Sequence, residues 1–281
     1  MEINPIENMV REASQDSHYE KGDYLNEDGL LMCGKCHTPK QCRFVAKWDG
    51  MEKTPYILCG CARERRDAEE QARQAQDLRI EINRLRKLGF PDGEMVDWTF
   101  DHDDGTDPKT MSVAHKYVDN FTEMEKRGKG LLLYGPVGTG KTYAAACIAN
   151  ELISQGRPCL VTNFARVTNT LQGMFEGKQR YLDDFNRLDL LVIDDLAAER
   201  DTPYMHEMIF NIIDSRYRSG KPLIVTSNLT QADLKEPGSI DRKRIYSRLL
   251  EICVPIEVKG ADRREKKLRN DSTDMARLLG L

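Results

Sequence analysis

The sequence predicts an α/β fold in which a parallel sheet lies between helices, together with a small cysteine-rich module near the N-terminus. Two observations predict this arrangement. From residue 109 onward, short apolar runs typical of buried strands alternate with helix-forming stretches. Ahead of them, five of the eight cysteines lie within residues 33–61. A chain of 281 residues is longer than most single domains, so one large and one small domain are expected.

A glycine-rich turn between a strand and a helix is the strongest motif. Residues 109–126 predict a helix, residues 130–134 a buried strand and residues 143–150 a second helix. The turn has the G-x-x-x-x-G-K-[ST] pattern, in which backbone N–H groups surround phosphate oxygens and the helix N-terminus favours the anion. Lys141 would reach the β- and γ-phosphates of ATP, and the Thr142 hydroxyl would bind Mg²⁺. The predicted nucleotide-binding residues of the turn are Gly135, Pro136, Val137, Gly138, Thr139, Gly140, Lys141 and Thr142.

Two later strands end in polar side chains. Residues 188–193 predict a buried strand that ends in Asp194 and Asp195, at the carboxyl edge where ligands bind in such sheets. Asp194 would hold Mg²⁺ through water, and Asp195 would orient or deprotonate the attacking water. The next buried strand ends at Ser227 and Asn228. This amide could hold the catalytic water or sense the γ-phosphate, and a plain turn is the alternative.

The cysteine cluster predicts a metal site. Two cysteine pairs, C-x-x-C and C-x-C, are separated by 22 residues that suit a small hairpin. Four thiolates at about 2.3 Å would form a closed, structural Zn²⁺ site. Cys42 or His37 could replace one ligand, and free thiols in a small core are the alternative. The predicted zinc ligands are Cys33, Cys36, Cys59 and Cys61.

Composition and charge exclude several classes of protein. The chain is 40% hydrophobic and 31% charged, with a net charge of −4, which argues against general coating of nucleic acid but leaves a local basic groove open. The N-terminal stretch lacks the pattern of a signal peptide, and no apolar run approaches the length of a membrane span. We therefore expect a cytoplasmic protein with no membrane partner.

The order of these features predicts three segments. Residues 1–61 would form the zinc-binding, partner-contacting module, residues 62–108 a charged helix and linker, and residues 109–281 the ATPase domain. The arginines of the charged helix could meet DNA. Interspersed acidic residues favour a solvated face instead.

The motifs, taken in order, resemble an AAA+ ATPase. Within that superfamily the chain is similar to the DnaC/DnaI-type helicase loaders and the related IstB-type transposition helper ATPases, from about residue 90 to residue 264. The cysteine-rich module resembles the helicase-contacting zinc domain of some loaders. The resemblance implies a P-loop NTPase with a parallel sheet between helices and a reduced lid. The motifs that carry it are residues 135–142, 191–196, 224–229 and 244–249.

The resemblance also implies roles for single residues. Asn228 matches sensor 1. Arg248 matches the arginine finger that acts on ATP bound by a neighbouring subunit, with Arg244 assisting. Arg264 matches the sensor 2 arginine.

The helix after the second strand of the domain lies where these loaders touch single-stranded DNA. Its candidate contacts are Phe164 and Arg166, with Lys178 close behind. Stacking on an aromatic ring and pairing of backbone phosphates with cations would suit such contact. For Phe164, burial at helical spacing stays open as the alternative.

The function that the resemblance implies is ATP-dependent loading of a DnaB-type replicative helicase onto single-stranded DNA. ATP, Mg²⁺ and Zn²⁺ would be the cofactors, and ATP would order the subunits into a spiral. Asp195, in place of the commoner glutamate, suggests slow hydrolysis, which we expect single-stranded DNA to stimulate. Two alternatives stay open: a transposition helper acting on double-stranded DNA, and a zinc-containing nucleotide-switch adaptor without significant turnover.

Overall fold

The computed structural model describes residues 19–197 and 202–263, together with Met275 and Leu279. Contacts divide the chain into two compact units, Met1–Arg79 and Ile80–Leu281. The division falls inside one long helix, α1 (Gly60–Gly89).

The first unit consists of two short antiparallel hairpins and the start of α1. Strand β1 (Tyr24–Leu25) pairs with β2 (Leu31–Met32), and β3 (Phe44–Val45) pairs with β4 (Glu52–Lys53). The second hairpin lies between the two cysteine pairs, which confirms the predicted hairpin. A bridge from Gln41 to Tyr56 continues the pairing toward the second cysteine pair.

The second unit is built on a five-stranded, fully parallel sheet. Its strand order is β6-β7-β8-β5-β9. Leucine, isoleucine and valine fill β5, β7 and β8, because a strand with helices on both faces is apolar on both sides. The strands are β5 (Gly130–Tyr134), β6 (Cys159–Asn163), β7 (Leu190–Leu196), β8 (Leu223–Ser227) and β9 (Cys253–Glu257).

Helices connect these strands. The single helix expected from residue 109 to residue 126 is instead two helices, because Asn120 leaves the helical conformation and its side-chain amide donates to the Lys116 carbonyl at 2.8 Å. A short 3₁₀ turn covers Phe100–His102. The α-helices are α2 (Pro108–Asp119), α3 (Phe121–Lys126), α4 (Lys141–Ser154), α5 (Phe164–Gly173), α6 (Lys178–Asn186), α7 (Pro203–Ser219), α8 (Gln231–Lys235) and α9 (Ile240–Ile252).

The core of this unit has two parts, one on each face of the sheet. Successive β5 residues enter different parts, since Leu131 and Leu133 join one and Leu132 and Tyr134 the other. The first part contains residues of α2 and α4 with the C-terminal end of α1, and the second contains residues of α5, α7 and α9. None of the helices described here is long and apolar enough to cross a membrane.

A fully buried arginine, Arg216 on α7, joins the amino ends of two strands. Its guanidinium donates to the carbonyl oxygens of Asp189 and Pro222, which directly precede β7 and β8, and to that of Phe185. Burial lowers the pKa of Arg216 to about 10, so the group stays charged at neutral pH. Arg216 fixes the strand starts, and thereby helps to fix the opposite, polar edge of the sheet.

Candidate nucleotide and metal sites

The sheet topology gathers the predicted nucleotide-site residues at one edge. Strands β7, β8 and β5 are adjacent and parallel, so their carboxyl ends lie side by side. The phosphate loop follows β5, Asp194 and Asp195 end β7, and Asn228 follows β8. This edge can hold a nucleoside triphosphate and its metal, as the strand order of such sheets leads one to expect.

The backbone of the phosphate loop requires glycine. Gly138 and Gly140 have φ values of 74° and 97°, in the left-handed region. A Cβ on Gly135 would lie 2.3 Å from the carbonyl oxygen of Val258, which follows β9. The loop therefore passes close to the neighbouring strand and leads directly into α4, whose N-terminal N–H groups favour an anion.

Lys141 is the first residue of α4 and is 5% exposed. Its Nζ donates to the carbonyl oxygens of Gly135 (2.9 Å) and Pro136 (2.6 Å) inside the loop. An ammonium group held there can exchange these carbonyl oxygens for phosphate oxygens. The donor set, a lysine beside the N–H groups at a helix start, fits the phosphates of ATP.

Asp194 is held beside Thr142 by hydrogen bonds from hydroxyl groups. The Thr226 hydroxyl donates to the Asp194 carboxylate at 2.5 Å, and the Thr142 hydroxyl also bonds to it. Burial raises the pKa of Asp194, and these two hydrogen bonds oppose that rise. A hydroxyl and a carboxylate placed together are oxygen ligands suited to Mg²⁺. Thr226 was not a sequence candidate, although its place in the strand just before Ser227 could have suggested it.

Asp195 occupies a different environment from its neighbour. Its φ is 57°, and the pairing of β7 with β8 shifts register between Ile193 and Leu196. The Asp195 N–H donates to the Thr226 hydroxyl at 3.0 Å, while its side chain is exposed. The bulge thus places one carboxylate half-buried beside Thr142 and the next one in solvent.

Asn228 is exposed at the tip of β8, where the sequence analysis placed it. The preceding Ser227 is fully buried, and its hydroxyl donates to the carbonyl oxygen of Leu196 at 2.7 Å. This bond ties the tips of β7 and β8 together. The spacing between Asp195 and Asn228 is therefore set by the backbones of two paired strands.

The segment after β9 returns to the phosphate loop. The Arg263 N–H donates to the Gly138 carbonyl oxygen at 3.0 Å, and its guanidinium lies 3.3 Å from the Asp104 carboxylate. A Cβ on Gly138 would lie 1.8 Å from a carboxylate oxygen of Asp262. Arg264, the predicted sensor 2 residue, lies outside the described residues. Arg263 was missed by sequence reasoning, which assigned the adjacent arginine.

The two predicted trans arginines lie on α9 and contact α7. The Arg244 guanidinium lies 4.6 Å from the centroid of the Phe210 ring, and that of Arg248 lies 4.3 Å from the Tyr217 ring. Arg248 also pairs with Asp214 on α7. Both guanidinium groups are thus held against one surface formed by α7 and α9.

The candidate DNA contacts have different environments. Phe164 is 1% exposed and belongs to the core beside α7, so the buried alternative holds for this residue, because a ring without an accessible face cannot stack on a base. Arg166 pairs with Asp92, and Lys178 is exposed at the start of α6. Phe175, in the connection between α5 and α6, is fully exposed.

The four predicted zinc ligands converge. The Sγ atoms of Cys33, Cys36, Cys59 and Cys61 all lie within 4.8 Å of one another. Tetrahedral zinc with bonds of about 2.3 Å would separate its sulfurs by about 3.8 Å, and the Cys33–Cys61 distance is 3.7 Å. The geometry and the soft donor set therefore fit Zn²⁺. Neither Cys42 nor His37 belongs to this group.

Two polar residues organise the cysteine cluster. The Thr38 hydroxyl bonds to Cys36 Sγ at 3.1 Å and accepts the N–H of Gly60 at 2.6 Å, so it joins the two cysteine pairs. The bond to Thr38 is the largest of the contacts that lower the pKa of Cys36, whereas the neighbouring cysteines raise the pKa of Cys61, as expected when several thiols share one proton-deficient cluster. Asp23, a residue that sequence reasoning missed, accepts the N–H of Gly34 at 3.0 Å and so orients the first pair.

Comparisons with known proteins agree with this geometry. A model of the family described as IstB-like ATP binding protein matches residues 64–271. The replicative helicase loader DnaC of Escherichia coli (strain K12) is 29% identical over 143 residues, 50% of this chain and 56% of that protein. The replicative helicase loader DnaI of Bacillus subtilis (strain 168) is 27% identical over 195 residues, 64% of this chain and 62% of that protein.

A crystal structure of DnaI is similar to this fold, with a TM-score of 0.53 at 26% identity, and covers 64% of this chain and 99% of that chain. The matched parts span little more than half the length of the two loaders. The parallel sheet, its phosphate loop and this likeness identify an AAA+ P-loop fold. Because the family model matches most of its length, the chain belongs to the family of IstB-like ATP-binding proteins.

Proposed function

We propose that this protein uses ATP to load a DnaB-type replicative helicase onto single-stranded DNA at replication initiation, in the cytoplasm. The observation that carries the proposal is the convergence of the phosphate loop with Asp194 and Thr142 at one sheet edge. The helicase as partner rests on similarity to proteins named replicative helicase loaders.

For hydrolysis, we assign each side chain of the edge one task. Lys141 binds the β- and γ-phosphates, while Thr142 and Asp194 hold Mg²⁺, which would neutralise charge on the triphosphate. Asp195 accepts the proton of the attacking water, since its carboxylate is exposed and carries none of the hydrogen bonds that engage Asp194. Asn228, fixed at the next strand tip, orients that water. An aspartate has a shorter reach than a glutamate, so we expect slow turnover.

We further propose that hydrolysis is completed by a second subunit. Arg244 and Arg248 contact α7 and lie on a surface of α7 and α9. A neighbouring copy that packs its phosphate loop against this surface would receive Arg248 at the γ-phosphate. Repeated head-to-tail, this contact would build the spiral, and bound ATP would favour it.

We assign partner contact to the zinc module, residues 1–61, with residues 62–108 as connector and 109–281 as ATPase domain. The described part of the module exposes several large apolar side chains, which favours a protein partner over a purely structural role. These side chains are Tyr19, Tyr24, Leu25, Val45, Trp48, Met51, Tyr56 and Leu58.

Native mass spectrometry of the protein with a DnaB-type helicase hexamer tests the proposal. A complex with several copies per hexamer should form with ATP and should be lost when residues 1–61 are deleted. For the Lys141→Ala variant, whose phosphate loop is disabled, added ATP should no longer promote formation of the complex. Absence of any complex with and without ATP would overturn the loader function.

The transposition-helper alternative is favoured by one observation, the family description itself. It predicts ATP-dependent binding to double-stranded DNA that exceeds binding to single-stranded DNA of equal length. Fluorescence anisotropy with matched oligonucleotides separates the two functions.

The adaptor alternative is tested with Asp195→Asn. A general base contributes roughly 10²- to 10⁴-fold to a rate, so hydrolysis should fall at least a hundredfold while ATP binding persists. If this variant still loads the helicase, the nucleotide-switch adaptor is favoured. If it binds the helicase but no longer releases it, the ATPase cycle is favoured. Asp183→Asn, an exposed aspartate on α6, is the control.

A further inference from the structure

We propose that Asp214 is a positioning residue for Arg248, holding its guanidinium in the orientation needed at a neighbouring subunit's nucleotide. The inference rests on the trans role of Arg248 given above. It assigns to α7 the task of presenting that arginine, which no motif of the sequence indicated.

The contact between the two residues is direct. Arg248 Nε lies 3.2 Å from Asp214 Oδ1, across 34 residues of sequence and between two helices. The Asp214 residue is 8% exposed, whereas the Arg248 side chain is 35% exposed. A buried carboxylate thus anchors the inner edge of a guanidinium whose outer part remains accessible.

Two further contacts restrict the same guanidinium. Arg248 Nη1 lies 3.1 Å from the Glu251 carboxylate, one turn along α9, and the Tyr217 ring lies under its face at 4.3 Å. Nε, Nη1 and one face of the Arg248 guanidinium are therefore engaged. Among the contacts of the described residues, none engages Nη2, which leaves that nitrogen to meet an external oxyanion.

Asp214 is the one buried group among these three contacts of Arg248. A charged hydrogen bond to a buried carboxylate is stronger and less screened than one to an exposed group, and the Glu251 side chain is 47% exposed. Asp214 also pairs with Arg218, one turn along α7, whose side chain is 74% exposed.

Positioning predicts loss of rate when the carboxylate is removed. An arginine supplied in trans is worth about 10³- to 10⁵-fold in phosphoryl transfer, and misplacement by about 1 Å costs about 10²-fold. Asp214→Asn keeps the shape and one hydrogen bond, so we expect kcat for ATP to fall about tenfold with KM for ATP unchanged. If Asp214 instead withheld Arg248 from the nucleotide, the same variant would raise kcat.

A double-mutant cycle distinguishes positioning from a structural role. Asp214→Asn in an Arg248→Ala background should cause no further loss of kcat, because the positioned group is gone. Equal losses in both backgrounds would overturn the proposal. Asp214→Glu restores the negative charge and should recover part of the rate. The control is Asp184→Asn, which breaks the exposed pair with Arg187 and should keep the wild-type rate. Thermal unfolding of each variant verifies the fold.

Mixtures of two variants show in which subunit Asp214 acts. A Lys141→Ala subunit cannot use ATP but supplies Arg248, and an Arg248→Ala subunit uses ATP but supplies no arginine, so a mixture should regain hydrolysis. Asp214→Asn placed in the Lys141→Ala subunit should lower this regained rate. The same change placed in the Arg248→Ala subunit should leave it unaltered.

The outcomes separate the two proposals. A wild-type rate for Arg248→Ala alone would overturn the trans role and the positioning with it. A lowered rate for Arg248→Ala together with a wild-type or raised rate for Asp214→Asn would overturn the positioning and leave the trans role intact.

Discussion

At the scale of single residues, neighbours in sequence receive opposite environments. Asp194 is half-buried and bonded to two threonine hydroxyls, while Asp195, with φ of 57°, is exposed. The register shift in β7 produces this difference. It allows one carboxylate to hold a metal while the other faces water.

The contact between Gly138 and Asp262 gives a prediction at this scale. Gly138→Ala should weaken nucleotide binding, because its Cβ would overlap the Asp262 carboxylate, and either that side chain or the phosphate loop must move to accommodate it. Isothermal titration with a non-hydrolysable ATP analogue measures the affinity.

Gly156→Ala is the matched control for that change. Gly156 has φ of 79°, close to the 74° of Gly138, but nothing lies within 4 Å of an added Cβ. Both variants should lose about 1–2 kcal/mol of stability from the left-handed backbone, and the control should keep nucleotide affinity. Equal affinities for the two variants would contradict a steric role for Asp262.

At the scale of elements, the cysteine pairs are joined by side chains rather than by a core. Thr38 links the pairs, and Asp23 orients the first of them. The strands of this unit are two residues long, and many of its apolar side chains are exposed. We therefore expect this unit to depend on a metal for its stability, because two such short hairpins bury little apolar surface.

Cysteine substitution tests this need. Cys59→Ser should release the zinc and unfold the first unit, since a structural site with three thiolates binds its metal far more weakly. Elemental analysis gives the zinc content, and proteolysis reports the unfolding. Cys42→Ser, outside the cluster, should retain one zinc per chain. Loss of zinc from both variants would require a different ligand set.

At the scale of the whole molecule, a buried arginine holds the amino ends of the two strands whose carboxyl ends form the polar edge of the sheet. Arg216 binds carbonyl oxygens that precede β7 and β8, and these two strands carry Asp194, Asp195 and Asn228 at their far ends. A buried charged residue thus ties together the two strands that carry these polar side chains.

Removal of this arginine should be costly. Arg216→Ala leaves buried carbonyl oxygens without donors and opens a cavity, so we expect a loss of about 3 kcal/mol or more in the free energy of unfolding. Urea denaturation measures it. Arg127→Ala, which breaks an exposed pair with Glu123, should cost no more than about 1 kcal/mol. Comparable losses of unfolding free energy in Arg216→Ala and Arg127→Ala would mean that water replaces the buried hydrogen bonds of Arg216.

Local sequence patterns determined the nucleotide-binding fold and most of the candidate site. The phosphate loop, the two aspartates and the four clustered cysteines could be recognised because their chemistry depends on short spacings that the chain itself sets. The order of strands and helices followed from apolar runs and their breaks, and the break at Asn120 was missed because a single side-chain hydrogen bond decides it.

Tertiary structure alone decided which residues support that site. Thr226, Asp214, Arg216 and Arg263 each contact a partner that is distant in sequence, and no local spacing marks such pairs. The burial of Phe164 could not be predicted for the same reason. Its helical spacing fits an exposed or a buried ring, and only its packing in the core shows that the ring is buried. Contacts between distant segments depend on the whole fold, whereas a loop that binds phosphate is specified by its own backbone.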